Sequence, residues 1–325
     1  MSSIKRIGVF TSGGDAPGMN ACIRAVVRTG NYYGMEVFGV YQGYEGMIEG
    51  SIKKLSNSSV GNIIQRGGTV LGSARSDRFR DKYYRKIAKE QLDKFGIEAL
   101  VAIGGDGTFK GAYVFNEEHG VPTIGIPGTI DNDMFGTDNT IGYDTALNTV
   151  VDAVDKIRDT AGSHNRLFFV EVMGRDAGFI ALRAGIASGA ESILIPETKT
   201  YTDDLIRQIG EGRRKKQFGI IMVAEGDDAG GAQEVAALVK EKYPHYDIRV
   251  SVLGHMQRGG NPSCADRVLA SRLGMAAVES IRAKKYNAMI GVVNDETVLT
   301  PFDKAVKSHQ VVRKDLLDLA QILGS

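Results

Sequence analysis

Short apolar runs rich in β-branched residues alternate along this chain with longer stretches in which apolar positions recur at helical spacing. The runs lie at 7–11, 37–41, 99–103, 123–127, 167–173, 192–196, 219–224, 248–253 and 288–293. That alternation predicts an α/β protein whose sheets are largely parallel. One intervening helix is explicit in the pattern: Leu147, Val150, Val151, Val154 and Ile157 form an apolar stripe, and Asn148, Asp152, Asp155 and Lys156 fall on the opposite face. Asp144 is the candidate N-cap of this helix, which is expected to open a second domain. No segment rich in serine, glycine or proline divides the chain, so a boundary near 141 rests on length and on this helix. At roughly 150 residues per domain, 325 residues allow about two. A faint repeat agrees, because Gly14-Asp15-Ala16-Pro17-Gly18 and Arg175-Asp176-Ala177-Gly178 each follow an expected strand and precede a helical pattern.

In open α/β sheets, ligands bind beyond the carboxyl ends of the strands. Six loops in such positions mix glycine with a carboxylate, a hydroxyl or a basic group: 12–15, 104–108, 128–133, 174–176, 225–226 and 254–260. Composition supports the emphasis on glycine. There are 41 glycines against 7 prolines, about one residue in eight where ~7% is usual, so many bare backbone positions are in use. Forty Lys+Arg against 39 Asp+Glu leave a net charge of +1 and no global field for nucleic acid or an anionic membrane. Cys22 and Cys264 cannot build a disulfide framework, and no Cys/His cluster has zinc spacing, which fits a reduced cytosolic setting. No signal-peptide core and no apolar stretch of ~18 residues is present, so a soluble, cytoplasmic protein is expected.

Gly13 and Gly18 have Walker A spacing, but Met19-Asn20 stand where Lys and Ser/Thr are required, and no Gly-x-Gly-x-x-Gly lies there. Gly13-Gly14 between strand and helix can still present backbone N–H groups to phosphate. In the second loop, glycines on both sides of Asp106 leave its carboxylate free to reach a Mg²⁺-nucleotide, although a helix N-cap explains an aspartate there as well. The third loop sets Asp131 and Asp133 two residues apart beside Thr129. Phosphoryl transfer to an alcohol needs an acceptor for the hydroxyl proton and charge neutralisation near the metal, and two carboxylates can supply both. Asx-turns in a solvated loop would produce the same run.

Taken in order, Thr11 to Asn20, Gly104-Gly105-Asp106-Gly107, Pro127 to Asp133, Met173-Gly174-Arg175 and Gly254 to Gly260 resemble the bacterial ATP-dependent 6-phosphofructokinases, over residues 4 to about 300. The resemblance implies two similar Rossmann-like, three-layer domains with the active site in the cleft between them. The larger, ATP-binding domain would hold 1–141 and 254–303; the smaller, fructose 6-phosphate-binding domain would hold 142–253 and 304–325. It implies phosphorylation of the sugar C1 hydroxyl by MgATP, the committed step of glycolysis. Asp131 falls on the catalytic base and Asp106 on the Mg²⁺ ligand. Gly14, Arg75, Ser76, Gly105, Gly107 and Thr108 surround the nucleotide. Arg75, Arg175 and Thr129 fall where charge develops on the transferring phosphoryl. The sugar phosphate would meet Thr129, Ile130, Asp131, Arg166, Met173, Gly174, Arg175, Glu225, Arg249, His255, Met256, Gln257 and Arg258. Arg166 and Arg249 would serve a neighbouring subunit of a homotetramer. Read without the resemblance, Arg75 belongs to a solvated cationic stretch with Arg78, Arg80 and Lys82, and His255 is a core histidine.

Pyrophosphate-dependent relatives carry Asp at the position of Gly107 and Lys at that of Gly128, so this glycine pair favours ATP as donor. An effector site for ADP or GDP activation and phosphoenolpyruvate inhibition matches at Arg24, Arg28, Arg158 and Glu191, with Arg214 and Lys216 in a basic loop. That loop lacks the family's terminal His, and 57–62 carries no Arg, so weakened or altered regulation is expected; a solvated loop explains the basic run equally. The competing readings are a pyrophosphate-dependent enzyme, a lipid or NAD kinase sharing the Gly-Gly-Asp-Gly motif, and a non-catalytic nucleotide or sugar-phosphate sensor.

Overall fold

A computed structural model of the chain describes residues 4–164, 166–212 and 219–324. The chain divides into two compact units, the first of Met1–Ile130, Met134–Thr145 and Arg258–Gln310, the second of Asp131–Asp133, Ala146–Gln257 and Val311–Ser325. In chain order the elements are β1 (Arg6–Ser12), α1 (Met19–Tyr32), β2 (Glu36–Val40), α2 (Gly43–Glu49), β3 (Ile52–Leu55), α3 (Lys82–Phe95), β4 (Ala99–Gly104), α4 (Asp106–His119), β5 (Thr123–Pro127) and α5 (Tyr143–His164). Then come β6 (Leu167–Val172), α6 (Phe179–Ala187), β7 (Ser192–Leu194), α7 (Thr202–Gly212), β8 (Gly219–Ala224), α8 (Ala232–Lys242) and β9 (Ile248–Val252). The chain finishes with α9 (Cys264–Arg282), β10 (Ala288–Val293), β11 (Glu296–Pro301), α10 (Phe302–Ala305) and α11 (Lys314–Gly324).

The first unit is built on a seven-stranded sheet in the order β11-β10-β5-β4-β1-β2-β3. Its five inner strands are parallel, while β3 and β11 pair antiparallel at the two edges. Successive strand side chains point to opposite faces, and the two faces are covered by different helices. Phe10, Phe38, Leu100 and Ala102 pack with Tyr44, Met47, Leu92 and Phe115 from α2, α3 and α4. On the other face, Ile7 and Val37 meet α1 so closely that a Cβ at Gly30 would stand 2.5 Å from Val37. Helix α9 lies on α1 with a Cβ at Gly274 only 2.7 Å from Ala25.

Every apolar run forms a strand, but β3 and β11 are additions to that pattern. Their sequences, Ile-Lys-Lys-Leu and Glu-Thr-Val-Leu-Thr-Pro, are short and half polar because an edge strand faces water. The β10–β11 hairpin turns at Asn294 and Asp295, both left-handed (φ 51° and 65°), as a two-residue turn between right-twisted strands demands.

The second unit carries an all-parallel sheet in the order β7-β8-β6-β9. Phe169, Ile221 and Val223 pack with Leu205 and Ile209 of α7 and with Val235 and Val239 of α8. Helix α6 approaches β7 so that a Cβ at Gly185 would sit 2.5 Å from Ile193. The two repeated segments do lead from β1 into α1 and from β6 into α6. In α5, Val150 and Val154 are buried while Leu147, Val151 and Ile157 are half-buried. Asp144 is not its N-cap: the helix begins one residue earlier, at Tyr143, and the carboxylate of Asp144 accepts a hydrogen bond from Ser263 Oγ. Among the described residues no helix is long and apolar enough to cross a membrane.

Candidate active site

In the first unit, β1 has β2 on one side and β4 on the other, and such a reversal of strand order is where open α/β sheets bind ligands, at the carboxyl ends of the strands. Ser12 pairs with Gly104, so the loops after β1 and β4 emerge side by side. Thr108 Oγ1 donates to the Ser12 carbonyl at 3.1 Å, and a Cβ at Gly104 would lie 2.5 Å from that same carbonyl oxygen. Glycine is required there by close approach of two backbones. Tyr44 Oη donates to the Thr108 carbonyl at 2.6 Å, and burial pushes its phenol up from the ordinary tyrosine range.

Gly105, not Asp106, caps α4; Asp106 is the first helical residue. One of its oxygens, Oδ2, receives the Lys110 ammonium at 2.6 Å, while Oδ1 is buried and has no hydrogen-bond partner among the described residues. An orphaned carboxylate oxygen between two glycines at the start of a helix is a donor that a hard divalent cation takes, so the residues present fit Mg²⁺. Beside it, a Cβ at Gly107 would meet nothing within 4 Å. Nothing in the protein's own packing explains a glycine at that position, which agrees with space kept for a ligand. Gly128 differs: its N–H donates to the Gly104 carbonyl at 3.0 Å, and a Cβ there would touch Ile103 at 3.0 Å and Met19 at 3.2 Å.

Arg258 lies with the first loop. Its Nη1 donates to the Asp15 carbonyl at 3.3 Å and would stand 2.6 Å from a Cβ at Gly14. Thr129 is buried and its carbonyl accepts from Thr140 Oγ1 at 2.6 Å. Arg75 is exposed, Ser76 Oγ donates to Glu45, and Arg78 is tied to Glu45 and Glu49. The cationic stretch is therefore no uniform solvated face. Asp266, at the start of α9, carries no motif and escapes a reading of the sequence. Its Oδ1 accepts from Gly142 N and its Oδ2 from Thr145 N, each at 2.8 Å, and Thr145 Oγ1 adds a third bond. Burial pushes this carboxyl up from the ordinary range and the three bonds oppose that rise.

In the second unit, Asp131 is 2% exposed and Asn132 beside it 1%, with Asn132 left-handed at φ 53°. A solvated Asx-turn does not describe this segment. Arg175 Nε stands 3.7 Å from Asp131 Oδ2. Arg175 itself is left-handed (φ 54°), an uncommon state for a residue with a Cβ. Glu225 holds it there, since Oε1 accepts from Gly174 N at 3.2 Å and from Arg175 N at 2.8 Å. Two glycines make room: a Cβ at Gly174 would lie 2.2 Å from the Ala177 carbonyl oxygen, and one at Gly226 2.0 Å from that of Arg175. Gln257 is fully buried, accepting from Met173 N at 3.2 Å and donating to the Gly254 carbonyl at 3.0 Å. Its amide oxygen thus braces the Met173 loop while its amide nitrogen closes its own turn, whereas His255 and Met256 next to it are exposed.

Arg166 precedes β6 and Arg249 lies on the neighbouring β9. Asp247 joins them, with Arg166 Nε 2.7 Å from one of its oxygens and Arg249 Nη2 3.0 Å from the other. The Arg166 hydrogen bond holds the Asp247 carboxyl below the ordinary range. The pairing of β6 with β9 is what creates this cluster, so no local motif announces Asp247. Of the expected effector residues, Arg24 and Arg28 lie one turn apart on α1, and burial together with Arg28 lowers the pKa of Arg24. Arg158 donates to the Ser188 and Gly189 carbonyls, and Glu191 accepts from Ile220 N. Arg214 and Lys216 lie outside the described residues.

The sequence model of one protein family, described as Phosphofructokinase, matches residues 6–281. A protein of Bacteroides thetaiotaomicron named ATP-dependent 6-phosphofructokinase 2 is 55% identical over 325 residues, covering both chains in full. The ATP-dependent 6-phosphofructokinase 1 of Thermus thermophilus is 53% identical over 323 residues, 99% of this chain and 100% of that one. Among solved structures, phosphofructokinase from Saccharomyces cerevisiae superposes with a TM-score of 0.87 at 39% identity, over 93% of this chain and 45% of that longer one. The pyrophosphate-dependent phosphofructokinase of Marinobacter aquaeolei shares the fold, with a TM-score of 0.85 at 23% identity over 98% of this chain and 91% of that one.

Proposed function

Because the chain belongs to the phosphofructokinase family, we propose that it is an ATP-dependent 6-phosphofructokinase, forming fructose 1,6-bisphosphate and ADP. The observation that carries the reading is Asp131, a carboxylate 2% exposed with the Arg175 guanidinium 3.7 Å away. Asp131 takes the proton of the sugar C1 hydroxyl. The freed oxygen attacks the γ-phosphorus, the bond from that phosphorus to the β,γ-bridging oxygen breaks, and ADP leaves. Arg175, held left-handed by Glu225, directs positive charge at the transferring group. Gly13-Gly14 and Thr108 line the phosphate loops, and Arg166 with Arg249 supply forked donors suited to the sugar phosphate. Asp106 is the residue that would hold Mg²⁺, which when bound offsets charge on the nucleotide phosphates. The open space at Gly107 favours a nucleotide over pyrophosphate as donor, in line with the relatives named ATP-dependent.

The proposal extends to a cytoplasmic homotetramer in which Arg166 and Arg249 serve a neighbouring protomer. It also includes regulation by ADP or GDP and by phosphoenolpyruvate at Arg24, Arg28, Arg158, Glu191, Arg214 and Lys216. A coupled assay at fixed fructose 6-phosphate, with ATP or pyrophosphate and with each effector added, tests the donor and the regulation, and sedimentation velocity tests the tetramer. Turnover with ATP and none with pyrophosphate is expected. Asp131→Asn should lower kcat by roughly 10²–10⁴-fold, the usual contribution of a positioned base. Turnover on pyrophosphate alone overturns the donor assignment, and an Asp131→Asn enzyme of unchanged kcat overturns the base.

A further inference from the structure

The Lys110 side chain belongs to no motif in the loop after β4, yet its ammonium is 2.6 Å from Oδ2 of Asp106, one helical turn before it on α4. The other oxygen of Asp106 is buried without a partner among the described residues. Asp106 therefore carries a side-chain ammonium on one oxygen and keeps an unused lone pair on the other. An acid one turn ahead of a lysine is a favourable helical pairing, but Lys110 is 57% exposed, so the pair is weak enough to exchange.

We propose that Lys110 is a place-holder cation that competes with the divalent metal for Asp106 and so makes the site favour metal arriving with nucleotide over bare metal. The inference rests on the reading of Asp106 as the metal ligand. A divalent ion on this carboxylate must displace the ammonium or bear its repulsion. Bare metal brings no negative charge to compensate the displaced cation. A metal–nucleotide complex brings phosphate oxygens that do. Lys110 is thus a positioning residue, acting on the metal through Asp106.

Mn²⁺ prefers the same oxygen ligands as Mg²⁺ and its free concentration is read directly by electron paramagnetic resonance. Nucleotide-free wild type, Lys110→Met, Lys110→Arg and Asp106→Asn would be titrated with Mn²⁺ alone, after circular dichroism shows each variant folded; methionine is a good helix former at this position. Lys110→Met should bind Mn²⁺ more tightly by about two- to five-fold, the range of an exposed ion pair. The difference should shrink at about 0.5 M KCl, where exposed charges are screened, and Lys110→Arg should behave as wild type. Asp106→Asn should lose the binding. If Lys110→Met binds Mn²⁺ no more tightly than wild type, including no detectable binding by either, the place-holder role is overturned. If Asp106→Asn binds as wild type does, the metal assignment itself fails.

Discussion

Replacing Glu225 tests whether the Met173–Arg175 loop is held in its working shape by one carboxylate oxygen. That oxygen accepts from the backbone of both Gly174 and Arg175. Glu225 is exposed, so each bond is worth about 1 kcal/mol net rather than the larger figure for a buried charge, and the two together about 2 kcal/mol. They offset the left-handed conformation of Arg175, which costs roughly 1–2 kcal/mol for a residue with a Cβ. In Glu225→Ala the loop should relax, and a loss of about 2 kcal/mol lowers the competent fraction by roughly 30-fold, at 1.36 kcal/mol per factor of ten. The readout is kcat/KM for fructose 6-phosphate in the coupled assay, expected to fall by about 10–30-fold, with thermal stability nearly unchanged because the loop is local. Glu225→Gln keeps an oxygen that can accept both N–H groups and should stay within a few-fold of wild type. The reasoning is refuted by a Glu225→Ala enzyme within about two-fold of wild type. It is equally refuted if Glu225→Gln is as impaired as Glu225→Ala, since charge toward the sugar hydroxyls, not loop support, would then be what matters.

Two further substitutions probe the first unit. Gly107→Asp should fold normally, because the new Cβ meets nothing within 4 Å and a carboxylate suits the first turn of α4, but it should lose most ATP turnover; wild-type kcat/KM for ATP would show that no nucleotide packs there. Asp266→Asn keeps one acceptor oxygen and turns an NH₂ toward N–H donors, so a loss of about 1–3 kcal/mol in denaturant unfolding is expected despite removal of a buried charge. Because the folded-state pKa of Asp266 is raised, the native state holds its proton longer than the unfolded chain. Stability from this group should fall as pH rises from the ordinary carboxylate range through the raised value. The wild-type-minus-variant difference should show that slope, and a flat difference would contradict the burial argument.

The strands and the glycine-rich loops that follow them are largely legible in the amino-acid order because both are local. A run such as 99–103 is apolar throughout, since its strand is covered on both faces, and it reads as a strand whatever its neighbours are. Gly104 to Thr108 and Gly128 to Asp133 place glycine, hydroxyl and carboxylate within a few residues of one another, so they stand out as candidate site loops in the residue order alone. The edge strands β3 and β11 are not, because half-solvated strands carry the polar residues that also mark loops. Asp144 misleads as a cap because helix ends are set by the geometry of the incoming chain, here at Tyr143.

The sequence by itself determined which residue types were available at the strand ends: carboxylates at Asp106 and Asp131, hydroxyls such as Thr108 and Thr129, and a set of arginines. Tertiary structure decided what each of them faces. It buried Asp131 and Asn132, set Asp247 between Arg166 and Arg249, and put Glu225 on the backbone of Gly174, 51 residues away in the chain. It gave Asp266 to Gly142 and Thr145 across more than 120 positions. A hydrogen-bonding side chain has many partners within reach in an unfolded chain, and its own neighbours in sequence do not choose among them. The order of strands in a sheet does, by fixing which loops emerge side by side.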